Sequence, residues 1–135
     1  MFLVDTNVVS ELRKPRPHPR VFAWLRDVPD RDLFLASVTV GELQAGVEIT
    51  RRQDTTKAEE IEAWIEQISS VWNILPMDAK AFRYWARLMH GRSGDLIEDA
   101  MIAAIAHVHD LTVVTRNVHD FAPLGVRTLD PFASV

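Results

Sequence analysis

The chain has no cysteine. That absence excludes disulfides, thiolate metal sites and thiol nucleophiles, and it agrees with a reducing compartment. Glycine is scarce as well: the five in 135 residues form neither G-x-G-x-x-G nor G-x-x-x-x-G-K-[ST], which excludes the usual glycine-rich phosphate cradles. Long apolar runs are missing, because charge or Gly/Pro breaks each one well short of the roughly 20 residues that a membrane-spanning helix needs. Met1-Phe2-Leu3-Val4-Asp5 offers no basic lead and meets an acid early, so no signal peptide and a cytoplasmic location are expected. Of the five histidines, His107 and His109 are two apart and do not share a helix face, which argues against zinc. Positive charge is in deficit, with 15 basic against 19 acidic side chains and a net charge of −4. The total disfavours a polyanion-binding surface, yet Arg13, Lys14, Arg16 and Arg20 crowd one segment and Arg83, Arg87 and Arg92 recur along another. Either group also reads as solvated surface.

What is present is enough apolar material, 47%, to build one core, so residues 1–135 are expected to form a single domain. Phe2-Leu3-Val4, Leu33-Phe34-Leu35-Ala36, Ile74-Leu75 and Thr112-Val113-Val114 are short continuous apolar runs of the kind buried on both faces of a parallel sheet. Val126-Arg127-Thr128-Leu129 is a weaker fifth candidate. Between them lie helical patterns at about 39–52, 56–72, 79–90 and 96–109, the last carrying the dense Ala100-to-Ala106 run of a deeply packed helix. The polar join from Arg51 to Glu60 suggests that the first two helices project as an arm. Alternating strands and helices give a three-layer α/β/α domain with a central four- to five-stranded parallel sheet. Pro15, Pro17 and Pro19 mark a connection between helices. Trp64, at helical spacing beside Ile61, Ile65 and Ile68, is expected in the core or at a dimer contact.

Acids recur at the carboxyl ends of these strands, where open parallel sheets bind ligands. Asp5 ends the first strand; Glu42 opens the helix after the second; Asp99 opens the Ala-rich helix; Thr115-Arg116-Asn117-Val118-His119-Asp120 follows the fourth strand. Each has a local account. Thr39 and Glu42 fit a capping box, Asp99 complements the positive end of a helix, Asp5 suits an N-cap and Asp120 a turn. What outweighs these accounts is convergence on one sheet edge. Two carboxylates about 4 Å apart repel by roughly 4 kcal/mol at an effective dielectric of 20, so a cluster needs a cation or raised pKa values. Oxygen ligands without sulfur or imidazole favour Mg²⁺ or Mn²⁺, and Mg²⁺ favours a substrate phosphate, which points to phosphodiester hydrolysis.

In these segments the chain resembles the PIN-domain family, and within it the VapC-type toxins and FitB-like proteins. Leu-Val-Asp-Thr-Asn at 3–7, Thr-Val-Gly-Glu-Leu at 39–43, Asp-x-x-Ile-Ala-Ala at 99–104 and Val-Thr-Arg-Asn-x-x-Asp-Phe at 114–121 occur in family order along nearly the whole chain. The resemblance implies that Asp5, Glu42 and Asp99 are metal-site acids, that Thr6 supports them through its hydroxyl, and that Asn117 or Asp120 fills a fourth position. Asn117 departs from relatives that carry an acid there. It further implies Mg²⁺- or Mn²⁺-dependent RNA cleavage, a homodimer, and a small VapB-like antitoxin through which alone DNA is contacted. Thr6, Thr115, Arg116, Arg13 and Lys14 become the candidate substrate contacts. Two alternatives stand beside this reading. A phosphoacceptor domain would use Asp5, but Asn7 occupies the place of the second Asp such a domain wants. A FitAB-like binding module would act with a DNA-binding partner and without turnover.

Overall fold

The structure is a computed structural model describing residues 1–133, so the last two positions of the expected span lie outside the described residues. It is a three-layer α/β/α fold around a five-stranded, wholly parallel sheet of order β3-β2-β1-β4-β5. The strands are β1 (Phe2–Val4), β2 (Leu33–Ala36), β3 (Asn73–Leu75), β4 (Thr112–Val114) and β5 (Thr128–Leu129). Every apolar run named from the sequence is a strand; β5 is two residues shorter than expected and β3 starts one residue earlier.

The helices are α1 (Thr6–Val9), α2 (Pro19–Asp27), α3 (Ser37–Arg51), α4 (Thr55–Val71), α5 (Ala79–Met89), α6 (Ile97–His109) and α7 (Val118–Phe121). Their starts follow local chemistry. Asp54 and Asp78 cap α4 and α5 by accepting the amides of Lys57 and Ala81 at 3.0 and 2.9 Å, which satisfies donors a helix end leaves free. The prolines at 15, 17 and 19 join a short 3₁₀ turn at Ser10–Arg13 to α2, with Pro19 in the first turn of α2, where the missing amide costs nothing.

Strand residues alternate between two cores, as period-two side chains must. Val4, Leu35 and Val114 join α1–α4 residues such as Val8, Val21, Val47 and Ile65. Leu3, Ala36 and Val113 join Ala103, Ile105, Phe121 and Leu124 on the other face. Burying one such Val or Leu is worth about 1.5–3 kcal/mol. Trp64 packs against the first core, and the inner faces of α3 and α4 contribute Leu43, Val47, Ala58, Ile65 and Ile68 to it. The pair therefore lies on the core instead of projecting as an arm, clasped outside by Arg51 and Gln44 on Glu62 at 3.0 and 2.8 Å.

One local expectation is overturned. Helix α3 starts at Ser37, directly after β2, with Ala36 as a cap that offers no side-chain acceptor. Thr39 is thus inside the helix, fully buried, with its hydroxyl unpartnered, and Glu42 lies beyond the first turn. The capping box does not form because no loop separates strand from helix.

Candidate metal centre

The chain runs β1-β2-β3 toward one edge of the sheet and re-enters on the other side of β1 at β4, so the switch in strand order falls between β1 and β4, where crevices open at the carboxyl ends. Asp5 and Thr115 are the residues immediately past those two ends. Asp5 is only 5% exposed. Its amide extends the β1–β4 pairing by donating to the Val114 carbonyl at 2.9 Å, which aims the side chain from the sheet edge. The Thr6 amide donates to Oδ1 at 2.8 Å, while the Thr115 hydroxyl and the Asn7 side-chain amide donate to Oδ2 at 2.8 and 3.2 Å. Asp5 is therefore the N-cap of α1, as its local account has it, and at the same time the anchored acid of the crevice.

Asn7 is the residue whose role the sequence reading missed. Besides Asp5, its Nδ2 donates to Thr115 Oγ1 at 3.4 Å and its Oδ1 accepts the Arg116 amide at 3.1 Å. The only signal for it was its place in the Asp-Thr-Asn run. Thr115, a candidate substrate contact, is fully buried; its hydroxyl also accepts the Asn117 amide at 3.0 Å and serves Asp5. Thr6 donates through its hydroxyl to Glu42 Oε1 at 3.2 Å, linking α1 to α3.

The carboxyls feel one another. Burial, and next the charge of Asp5, push Glu42 from 4.5 up to about 7, with Glu98 and Asp99 adding to the rise against the bond from Thr6. Burial, then Asp5, Asp120 and Glu98, push Asp99 from 3.8 up to about 6. For Asp5, burial raises the pKa against the bonds from Thr115, Thr6 and Asn7, with a further small push from Asp120. Acids from β1, α3, α6 and α7 thus share one field, as at sites arranged for function. Asp120 participates through its charge, whereas Asn117 is exposed and caps the start of α7 through its backbone.

Among the described residues no three His, Cys, Asp or Glu side chains already stand in a coordinating arrangement. The donor chemistry nevertheless fits a hard divalent cation: the groups are all oxygen, and their mutual repulsion is what such an ion relieves. The basic candidates divide. Arg116 is exposed at the end of β4, tied by its backbone to Asn7. Lys14 is turned onto the buried Glu11, and Arg13 lies exposed in the 3₁₀ turn; neither bonds to the acidic cluster.

This sheet order with acids around its switch point defines a class, and the chain belongs to the PIN domain family, whose model matches residues 2–123. It is similar to Toxin FitB of Neisseria gonorrhoeae, at 34% identity over 98% of this chain and 99% of that protein, and to the VapC ribonuclease Y4jK of Sinorhizobium fredii, at 34% identity over 98% of each chain. The crystal structure of FitAcB from Neisseria gonorrhoeae superposes with a TM-score of 0.85 at 34% identity, covering 98% of this chain and 99% of that one. FitAB bound to an IR36 DNA fragment gives 0.86 at 32% identity, covering 100% and 98%.

Proposed function

We propose that this chain is a divalent-metal-dependent endoribonuclease and the toxin half of a toxin–antitoxin pair. The observation that carries the reading is the shared field of Asp5, Glu42, Asp99 and Asp120, which pushes the Glu42 and Asp99 carboxyls up to about 7 and 6. Ribonuclease-named and toxin-named relatives at similar full-length coverage support it.

Asp5, Glu42 and Asp99 would hold the metal, with Asn117 or Asp120 beside them. Mg²⁺ or Mn²⁺ bound there supplies an activated water and offsets charge on the leaving oxygen. The chain's own residues do the rest. Thr115, Asn7 and the Thr6 amide hold Asp5 in one orientation, which removes reorganisation from the reaction. Glu42, held by the Thr6 hydroxyl, would accept a hydrogen bond from the attacking water and orient it. Arg116 at the rim would meet substrate phosphate. Arg13 and Lys14 supply more distant positive charge.

The relatives also support a reading of the partners. A small VapB- or FitA-like antitoxin would cover the site in a hetero-oligomer built on a homodimer and would bring DNA to it, in line with a FitAB complex bound to a DNA fragment; the setting would be the cytoplasm. That complex also favours a second reading, a binding module without turnover. Incubating the purified chain with structured RNAs, in Mg²⁺ or Mn²⁺ against chelator and alongside Asp5→Asn, separates the two. Cleavage confined to wild type with metal upholds the nuclease. Cleavage that survives chelator and Asp5→Asn marks a contaminant, and no cleavage of any RNA favours the binding module.

A further inference from the structure

Beyond residue 123, where the family match ends, the chain returns to the rim of the crevice and buries Phe132 to 8% exposure. The Arg116 guanidinium lies over this ring, 3.8 Å from its centroid. His18 meets the ring edge-on at 5.1 Å between centroids. Arg20 donates from Nη1 to the Phe132 carbonyl at 3.3 Å, and the Phe132 amide is fixed by Asp130 Oδ1 at 2.9 Å. Arg116 and Arg20 are both exposed. Among the described residues neither is ion-paired to a carboxylate, unlike Arg26, Arg51 and Arg127. Two cations that pair with no carboxylate among the described residues are therefore held against one residue, and the Arg116 backbone ties the nearer of them to Asn7.

We infer that Phe132 is a positioning residue for nucleic-acid phosphate: it carries Arg116 on its ring and Arg20 on its carbonyl, and so fixes two guanidinium groups as a subsite for the backbone next to the scissile bond. The inference rests on the RNA-cleaving reading. An arginine on an aromatic face keeps its edge donors free, and a pre-placed guanidinium meets phosphate without first paying to be ordered.

The test is binding of a labelled, 2′-O-methylated oligoribonucleotide of mixed sequence, measured by anisotropy over a range of salt with Ca²⁺ in place of Mg²⁺, and with gel electrophoresis to show that the probe stays whole. Wild type is compared with Phe132→Leu, Phe132→Tyr, Arg116→Ala and the Phe132→Leu/Arg116→Ala double variant. Thermal melting runs in parallel. Phe132→Leu keeps the ring's place apolar; it is expected to weaken binding about fivefold and to lower the salt slope by about 0.7, the loss of one phosphate contact on a single strand. Phe132→Tyr restores both, and the double variant binds no worse than Arg116→Ala alone. Wild-type affinity and slope in Phe132→Leu, beside a loss in Arg116→Ala, overturn the inference alone; so does a Phe132→Leu loss that persists in full without Arg116. Failure of wild type to bind the oligonucleotide at any salt overturns the RNA reading and this inference together.

Discussion

The Thr115 hydroxyl donates to Asp5 Oδ2 at 2.8 Å across 110 positions of sequence, fastening the ends of β1 and β4 to each other at the point where the crevice opens. One buried hydroxyl thus orients the anchored acid and closes the sheet edge. Thr115→Val keeps the shape and removes the donor. It is expected to lower unfolding stability by about 1–3 kcal/mol, the cost of leaving a buried polar partner unsatisfied, with the urea slope unchanged. Thr115→Ser should stay near wild type; equal midpoints for the Val and wild-type proteins would remove this role.

The raised carboxyls make a signed claim about pH. Glu42 goes from 4.5 to about 7 and Asp99 from 3.8 to about 6, so each binds its proton more tightly folded than unfolded. Their contribution is present at low pH and is lost as pH rises through the folded values. In chelator, Glu42→Gln should therefore gain stability relative to wild type as pH rises from 4.5 to about 7. Thermal melts of the two proteins across that window check it, and a difference that stays flat or runs the other way refutes it.

Mg²⁺ should act in the opposite sense. Ligands must shed protons to bind it, so the metal-induced rise in melting temperature grows over the same window and protons are released on binding. Titration calorimetry in two buffers of different ionisation enthalpy counts those protons. No uptake of Mg²⁺ or Mn²⁺ at any pH would leave the acids without their cation.

Stability and activity should part company at Glu42. Above its pKa the Glu42→Gln variant removes a charge repelled by Asp5, Glu98 and Asp99, so it is expected to melt higher while RNA cleavage falls about 100-fold or more. A variant that melts lower and still cleaves would make Glu42 structural.

Thr39, one helical turn before Glu42 in α3, carries a prediction about stability alone. Its hydroxyl is buried without a partner inside α3, and Thr39→Val replaces it with a methyl of similar size. Stability should hold or rise by about 1 kcal/mol, read from denaturant midpoints; a loss of that size would reveal a use for the hydroxyl.

The strands were legible because each is a short apolar run buried on both faces, and α4, α5 and α6 because their periodicity is long and their ends are marked by polar residues. The start of α3 was misread, since Thr39 and Glu42 have the right residue types for a cap and only the absence of a loop after Ala36 rules it out. Asp5 could be named as a candidate from its place at the end of β1, and Glu42 and Asp99 from the early turns of α3 and α6. Asn7 and Phe132 could not, because Thr115 lies 108 positions beyond the one and Arg20 lies 112 positions before the other. Such ties come from the sheet order, and no local pattern encodes them.

The alternation of Leu3 and Val4 between the two cores sets the direction in which Asp5 leaves the strand. A one-residue insertion or deletion just ahead of Asp5 would exchange the apolar contents of both layers in the same stroke as it turned the acid away from Thr115. Parity in a three-residue strand therefore couples drift in the chemistry to collapse of the scaffold, and length changes are tolerable only in the connections that follow.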